Sequence, residues 1–414
     1  MTVGPDEEQR DWKQKGLALA GAAAVVLVAA VGGLYTFLTT MATPLHEKAA
    51  DAPSVRHAEP SADWAGVADQ GRTIARAGLV EWNLPGLSVA VGVDKEIVWA
   101  EGFGWADLEK KVPLAPDMRF RIGHASKALT SAAVGLLLEQ GRLDLDKDIQ
   151  TYVPSFPRKQ WPITLRQLMG HVAGIRHYEG EADYMPTAHC ERASEGLQAF
   201  ADDPLRSQPE ADYRYSTFGW ILVSAAVEAA AQEPFFTFMR SRIFEPLDMR
   251  DTTSDSVAPS IPNLATFYYP RFSGDTAFGP EVATPVDYSC FAGAGAFLST
   301  PSDLVRFGMA VNGGSLLKPA TVTLLQAPQH LLSGAETEYG LGWMLETMPL
   351  AGEPTRLVHH ASRTMLGGSA WFTTLPDRGI VVAVTSNTSH AAVRQVALKI
   401  AEVFAEHGRN PQGK

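Results

Sequence analysis

One apolar run near the N-terminus constrains this chain more than any other feature. Residues 17–38 are almost wholly apolar, and no charged residue occurs between Gly16 and Leu45. As a helix, at about 1.5 Å per residue, this run reaches roughly 33 Å, enough to cross the apolar core of a bilayer. We therefore expect one transmembrane helix over 16–41. A cleaved signal peptide is the alternative, although no small-x-small cleavage motif closely follows the run.

Basic residues on either side of the run bear on its orientation. Three of them, in 1–15, precede the run, and two, Lys48 and Arg56, follow it. Because cytoplasmic flanks carry the excess of Lys and Arg, this bias places the N-terminal segment in the cytoplasm. The sequence thus predicts a single-pass membrane protein whose large domain is periplasmic or otherwise extracytoplasmic.

Composition limits the class of the remaining chain. Hydrophobic residues make up 45% of the 414 residues and charged residues 20%, which is typical of a globular protein. The net charge of −11, without any basic run, argues against nucleic acid as a partner. Two cysteines, Cys190 and Cys290, form neither a disulfide framework nor a zinc-ligand pattern. An oxidising compartment would permit one disulfide between them, and the sequence leaves that pairing open.

The chain beyond the apolar run divides into a linker, one domain and a tail. Residues 42–62 contain three prolines, many alanines and mixed charges, which favours a tether. The pattern is globular over 63–408, and 409–414 form a short polar tail.

Periodicity within 63–408 predicts the fold class. After a helix that ends before Pro85-Gly86, two β-branched and aromatic runs joined near 94–95 predict a hairpin. The pattern is mainly helical from 123 to about 290, and two strands and a last helix close the domain. Strands at both ends of a helical middle predict an α+β fold, an antiparallel sheet built from both termini with an inserted helical domain.

The segment Phe120–Pro154 places a lysine at a spacing that matters for chemistry. Residues three apart on a helix share a face, so the side chain at 124 lies beside Lys127. The segment resembles the Ser-x-x-Lys region of serine β-lactamase-like hydrolases, in which the lysine eases deprotonation of a serine nucleophile. In this chain the serine position holds His124. Ser126 does not restore the motif, because it points about 100° around the helix from its neighbour Lys127.

Two other segments are similar to motifs of the same family. Tyr215-Ser216-Thr217 resembles its Tyr-x-Asn motif, so the resemblance gives Tyr215 a proton-transfer role and Thr217 a place in substrate binding. Threonine cannot donate the amide hydrogen bonds of asparagine. Ile163–Gly180 resembles a helix and turn beneath the site, where we expect His171 to be structural. Glu210 stands where a turn glycine is common.

The last motif lies near the C-terminal strands. His360-Ala361-Ser362 is similar to the Lys-Thr-Gly or His-x-Gly strand of the family, and His359 remains an alternative for the histidine. The resemblance implies that His360 serves catalysis and that Ser362 contacts substrate. It also implies an oxyanion hole formed by the backbone N–H groups of His124 and Arg363.

Together these segments resemble class C β-lactamase-related proteins and penicillin-binding proteins, and the membrane-anchored, peptidase-like branch fits best. The resemblance implies a β-lactamase/transpeptidase-like fold, an acyl hydrolase acting on small-molecule or peptide acyl substrates, and no cofactor. A metal site would have to use His124 and His360, and because no third ligand accompanies them the sequence predicts no metal site. His124 at the nucleophile position predicts impaired activity. The alternative is an inactive relative that binds a peptide, a cell-wall fragment or a partner protein.

Overall fold

The computed structural model describes residues 5–40, 44–185, 188–256, 261–272, 274–362 and 367–409. Its α-helices are α1 Pro5–Thr40, α2 Ala62–Glu81, α3 Ser126–Glu139, α4 Leu165–Met169, α5 Glu181–Tyr184, α6 Thr217–Ala231, α7 Phe235–Met239, α8 Pro301–Asn312, α9 Pro319–Leu325 and α10 Val393–Arg409. Its strands are β1 Ser54–Val55, β2 Gly86–Val93, β3 Glu96–Asp107, β4 Val112–Pro113, β5 Phe120–Arg121, β6 Thr253–Ser254, β7 Tyr268–Phe272, β8 Asp275–Val282, β9 Phe297–Ser299, β10 Met344–Leu350, β11 Glu353–Ser362, β12 Ser369–Leu375 and β13 Ile380–Ser386.

The central sheet joins the two ends of the domain. Its strand order is β1-β3-β2-β13-β12-β11-β10, with β4 also paired to β3, and neighbouring strands run antiparallel. The expected hairpin is β2–β3, which turns at Asp94 with a φ of 54°. The predicted sheet, built from N- and C-terminal strands around a helical middle, is thus confirmed.

Both faces of this sheet are covered, which explains its continuous apolar strands. Val382 and Val384 of β13 face a core shared with α2 and α10, whereas Val381 and Ala383 face the core of the helical region. Successive side chains of a strand point to opposite faces, so a strand buried on both sides needs an apolar residue at every position. The helical region, including α3, α6 and α8, therefore lies on one face of the sheet, and α2 and α10 lie on the other.

Part of the predicted tether packs against the domain. Ser54 and Val55 form β1, which pairs with β3, and the ring of His46 is buried with Nε2 3.0 Å from the carbonyl oxygen of Leu84. Arg76 of α2 donates hydrogen bonds to carbonyl groups in the same stretch. The composition predicts a linker over 42–62, and these contacts show that His46 and residues 49–55 of it lie against the domain.

The helix α1 contains the apolar run. Leu17–Phe37 is long and apolar enough to cross a membrane, and none of it is buried against the domain. A signal sequence near the N-terminus also satisfies these criteria of length and hydropathy.

Candidate functional site

His124 lies in a single turn, Gly123–Ala125, that leads directly into α3. Gly123 has a φ of 46°, a conformation that glycine adopts without a Cβ clash. The imidazole of His124 is only 9% exposed, and its Nε2 lies 3.2 Å from the hydroxyl oxygen of Thr217. Burial, followed by the charge of Lys127, holds the pKa of His124 well below its usual value. The ring is therefore neutral at neutral pH.

Lys127 lies one helical turn after His124 and is fully buried. Its Nζ donates hydrogen bonds to the carbonyl oxygen of Ala294, at 2.9 Å, and to the hydroxyl oxygen of Thr217, at 3.5 Å. Burial lowers the pKa of Lys127 well below its usual value, which favours an amine able to accept a proton. Sequence reasoning assigned no chemistry to the segment around Ala294, yet its carbonyl holds this amine in place.

Thr217 connects the two side chains. It is the first residue of α6, whose N-cap Ser216 accepts a hydrogen bond from the N–H of Gly219. The hydroxyl group of Thr217 is fully buried between the imidazole of His124 and the amine of Lys127. This is a continuous polar contact from the nucleophile position to the buried amine.

Tyr215 lies beside this pair. Its ring centroid is 5.7 Å from that of His124, and Nζ of Lys127 lies 5.0 Å from the Tyr215 centroid. Burial raises the pKa of Tyr215 well above its usual value, so the phenol keeps its proton. Tyr215 is therefore poorly suited to act as a phenolate.

His171 holds the backbone of this segment. Its Nδ1 accepts the N–H of Ser216 at 3.0 Å, and its ring lies 4.2 Å from that of Tyr215. We expected a structural histidine satisfying carbonyl groups at a helix end. The observed contact is with an N–H instead, and it positions Tyr215 directly.

The strand β11 supplies the next histidine. His360 is fully buried, its Nε2 lies 3.0 Å from the hydroxyl of Tyr339, and its Nδ1 accepts the N–H of Ala361. His359 points to the opposite face of the sheet, where it stacks on Trp371 at 4.4 Å. Strand alternation thus leaves His360 as the histidine on the site's face.

Two more residues, Ser362 and Arg363, were predicted at or beside the oxyanion hole. Ser362 points to the same face as His360 and is 2% exposed, and its hydroxyl has no hydrogen-bond partner among the described residues. Arg363 lies outside the described residues. Ser126 is also fully buried, and its hydroxyl has no partner in the described part of the chain.

Three aromatic residues of the site were missed by sequence reasoning. His177 accepts the N–H of Thr217 at 3.3 Å, and burial lowers the pKa of His177 to about 4. The ring of Tyr178 lies 6.5 Å from that of His124, and Tyr339 contacts both His171 and His360. The adjacent pair His177-Tyr178, just beyond the turn after α4, was the only available signal. Tyr339 lies in a loop without a motif.

The chemistry available here is proton transfer among buried titratable groups. Burial lowers the pKa of His124, His171, His360 and Lys127, and raises that of Tyr215. Within the described ranges, no group of three or more His, Cys, Asp or Glu side chains is arranged to hold a metal ion. The site therefore offers bases and hydrogen-bond donors, and an imidazole at position 124.

Comparison with known proteins identifies the family of the chain. Residues 72–405 match the family model described as Beta-lactamase. The mouse serine beta-lactamase-like protein LACTB, mitochondrial, is 30% identical over 78% of each chain. Penicillin-binding protein 4* of Bacillus subtilis is 25% identical over 74% of this chain and 69% of its own.

Solved structures share the fold. D-amino acid amidase from Ochrobactrum anthropi superposes with a TM-score of 0.70 and 23% identity, covering 82% of this chain and 98% of its own. An octameric penicillin-binding protein homologue from Pyrococcus abyssi gives a TM-score of 0.69 with 21% identity, covering 84% and 78% of the two chains. From its site geometry, its fold and the matched length, this chain belongs to the serine β-lactamase-like family.

Proposed function

We propose that the protein keeps the acyl-binding cleft of its family but is strongly impaired in serine-type acyl transfer. The observation that carries this proposal is the position of His124. Its imidazole stands one helical turn before Lys127 and contacts Thr217, where the family motif places a serine hydroxyl. Imidazole can attack activated esters, but acyl-imidazoles are unstable, and the planar ring occupies more of the cleft than a hydroxymethyl group.

The rest of the acyl-transfer apparatus supports a hydrolase ancestry for the site. A buried amine at Lys127, a protonated phenol at Tyr215 and an imidazole at His360 supply the proton-transfer groups that acyl transfer needs. Substrates of this class would be small-molecule or peptide acyl compounds, such as esters, amides or β-lactams.

A binding role without turnover is the second candidate, and the edge of β11 favours it. The strand β10 pairs with β11 only as far as His359, so 360–362 have β12 as their one strand partner in the described part of the chain. An extended peptide or cell-wall fragment would find backbone groups along that edge. Such a ligand would be held without a covalent step.

We also propose that α1 anchors the chain in a membrane and that the domain is extracytoplasmic. The apolar run supports the anchor. The bond between Cys190 and Cys290 supports an oxidising compartment, because disulfides rarely persist in a reducing cytosol.

Hydrolysis assays with p-nitrophenyl esters and a chromogenic β-lactam test the proposal. We expect the unmodified protein to hydrolyse them little faster than buffer does. The variant His124→Ser should raise the rate by about 10³-fold or more, since losing a nucleophile removes most of the rate.

The matched control is His124→Ala, which frees the same space without supplying an oxygen. It should stay as slow as the unmodified protein. If His124→Ser folds but hydrolyses neither substrate, the result favours the binding role. If the unmodified protein equals the serine variant in rate, the proposal is wrong.

A further inference from the structure

One end of the domain exposes an unusual share of its large apolar side chains. Among the described residues after α1, eight such side chains are more than a third exposed. Four of them lie at this end, which we call the end face: Val112, Leu264, Phe272 and Val282. Val282 is 63% exposed. Soluble surfaces carry such residues singly, and their grouping indicates a surface that meets something apolar.

Hydrogen bonds gather these residues from three separate elements. The hydroxyl of Tyr268 in β7 accepts the N–H of Leu108, at the end of β3 that leads to Val112. Val282 of β8 pairs directly with Tyr268. Thr266 donates its N–H to the carbonyl of Ala106, which holds the residues that follow Leu264 against the end of β3. Val112, Leu264 and Val282 are thus held near one another by the fold, and Phe272 lies at the other end of β7, paired with Asp275 of β8.

The chain leaving α1 arrives at the same end. Leu45 donates its N–H to the side-chain oxygen of Asn83, at 2.7 Å, and Asn83 donates to the carbonyl of Thr276 in β8, at 2.9 Å. Only 41–43 separate Thr40, the last residue of α1, from Pro44. Four steps of extended chain, at most about 3.6 Å each, allow roughly 14 Å between those two residues. A bilayer that holds α1 therefore lies close to this end of the domain.

We propose that the end face rests on the lipid bilayer, with Phe272 and Val282 inserted at the level of the headgroups. The inference rests on the proposed membrane anchor. Charges of both signs flank the face, and the basic residues Lys110, Lys111 and Arg271 are outnumbered by Asp107, Glu109, Asp275 and Glu281. Apolar contact rather than attraction to anionic lipid would therefore hold it.

The contact would also bring the candidate site close to the membrane. Gly367 lies two residues before β12, whose Ala370 pairs with Ser362 of β11, and a Cβ at Gly367 would lie 2.2 Å from that of Phe267 and 3.1 Å from that of Ala283. Phe267 and Ala283 flank the base of the β7–β8 hairpin. The cleft beside β11 therefore adjoins the end face.

Site-specific fluorescence in vesicles tests the contact. The full chain would carry Phe272→Cys or Val282→Cys, labelled with bimane-maleimide, since the two native cysteines are bonded to each other. In phosphatidylcholine vesicles we expect a blue-shifted emission and at least about two-fold quenching by phospholipids brominated near the headgroup. High salt should leave both signals unchanged, because the contact is apolar.

The control label is Leu332→Cys, at a side chain that is 61% exposed in the loop before β10, the opposite edge strand of the sheet. It should be quenched by aqueous iodide and not by brominated lipid. If the protein floats with the vesicles while the labels at 272 and 282 behave like the control, the contact is overturned and the anchor stands. If the protein does not float with the vesicles, the anchor fails and the contact fails with it.

Discussion

At the scale of single residues, the site is organised by burial of titratable side chains. Among the described residues Lys127 makes two hydrogen bonds and no ion pair, so its charged form would be poorly compensated in the interior. The same burial keeps His124 and His360 neutral. The cleft therefore gathers bases whose pKa values are lowered by burial, and Thr217 separates the imidazole of His124 from the amine of Lys127.

The free energy of unfolding should depend on pH because Lys127 is buried. Burial lowers the pKa of Lys127 in the folded state, so the unfolded chain binds more protons between that lowered value and about 10.5. The free energy of unfolding should consequently rise with pH across this window. Lys127→Met should flatten the rise between pH 7 and 9, measured by denaturant unfolding in detergent.

The control for this measurement is Lys95→Met, which removes an exposed lysine from the β2–β3 turn and should leave the slope unchanged. An equal slope in Lys127→Met and the unmodified protein would mean that the amine is solvated in the folded state.

At the scale of elements, the turn 289–294 holds the site together. Its carbonyl groups accept hydrogen bonds from Lys127 and Thr130. The disulfide between Cys190 and Cys290 fastens this turn to the loop ahead of Ala193. The covalent link thus stabilises the segment that positions the amine.

The disulfide should contribute measurably to stability. It closes a loop with a sequence separation of 100 residues, and bonds closing loops of that size stabilise proteins by about 2–5 kcal/mol. The double variant Cys190→Ser with Cys290→Ser should lose that much in denaturant unfolding. Thiol titration of the exported, denatured protein should find no free thiol, and two free thiols would contradict the bond.

The end of α6 offers a stabilising change. Gln232 caps this helix in the left-handed conformation, with a φ of 58°, and its side chain is exposed. Glycine adopts that conformation without strain, so Gln232→Gly should raise the free energy of unfolding by about 0.5–1 kcal/mol. A decrease in thermal stability would show that the glutamine side chain makes a contact worth more than the strain.

The sequence predicted regular elements well, because each has a local cause. Alternating and continuous apolar runs located β2, β3, β12 and β13, and the break at Pro85 located the end of α2. The choice between His359 and His360 needed strand register, which one inserted residue reverses. The roles of Tyr339 and of the Ala294 carbonyl could not be predicted from the sequence. Tertiary packing alone brings Tyr339 to His360 and the carbonyl of Ala294 to Lys127.

At the scale of the whole molecule, the two ends of the domain chain meet in one sheet beside the segment that leaves α1. Leu45 and His46 contact the turn before β2, and β1 extends the sheet on that side. The domain is therefore held close to α1 rather than carried on a long linker. The family and the fold could be predicted from the order of the motifs and from the segments that flank them, because together these span most of the domain.

Protease accessibility should reveal the orientation of the chain. Protease added to intact cells or spheroplasts should remove the domain after residue 46, because the positive-inside bias places 1–15 in the cytoplasm. A tag fused at the N-terminus should survive the same treatment. Digestion of that tag with survival of the domain would mean that the orientation is reversed.

The central claim, that position 124 lacks the family's oxygen nucleophile, is tested most directly by intact-protein mass spectrometry. The unmodified protein and His124→Ser would each be incubated with a fluorophosphonate probe and with benzylpenicillin. We expect no stable adduct on the unmodified protein, and one adduct at residue 124 in the serine variant. A stable adduct of equal yield on the unmodified protein, mapped to His124 or to any other residue of the cleft, would contradict the account.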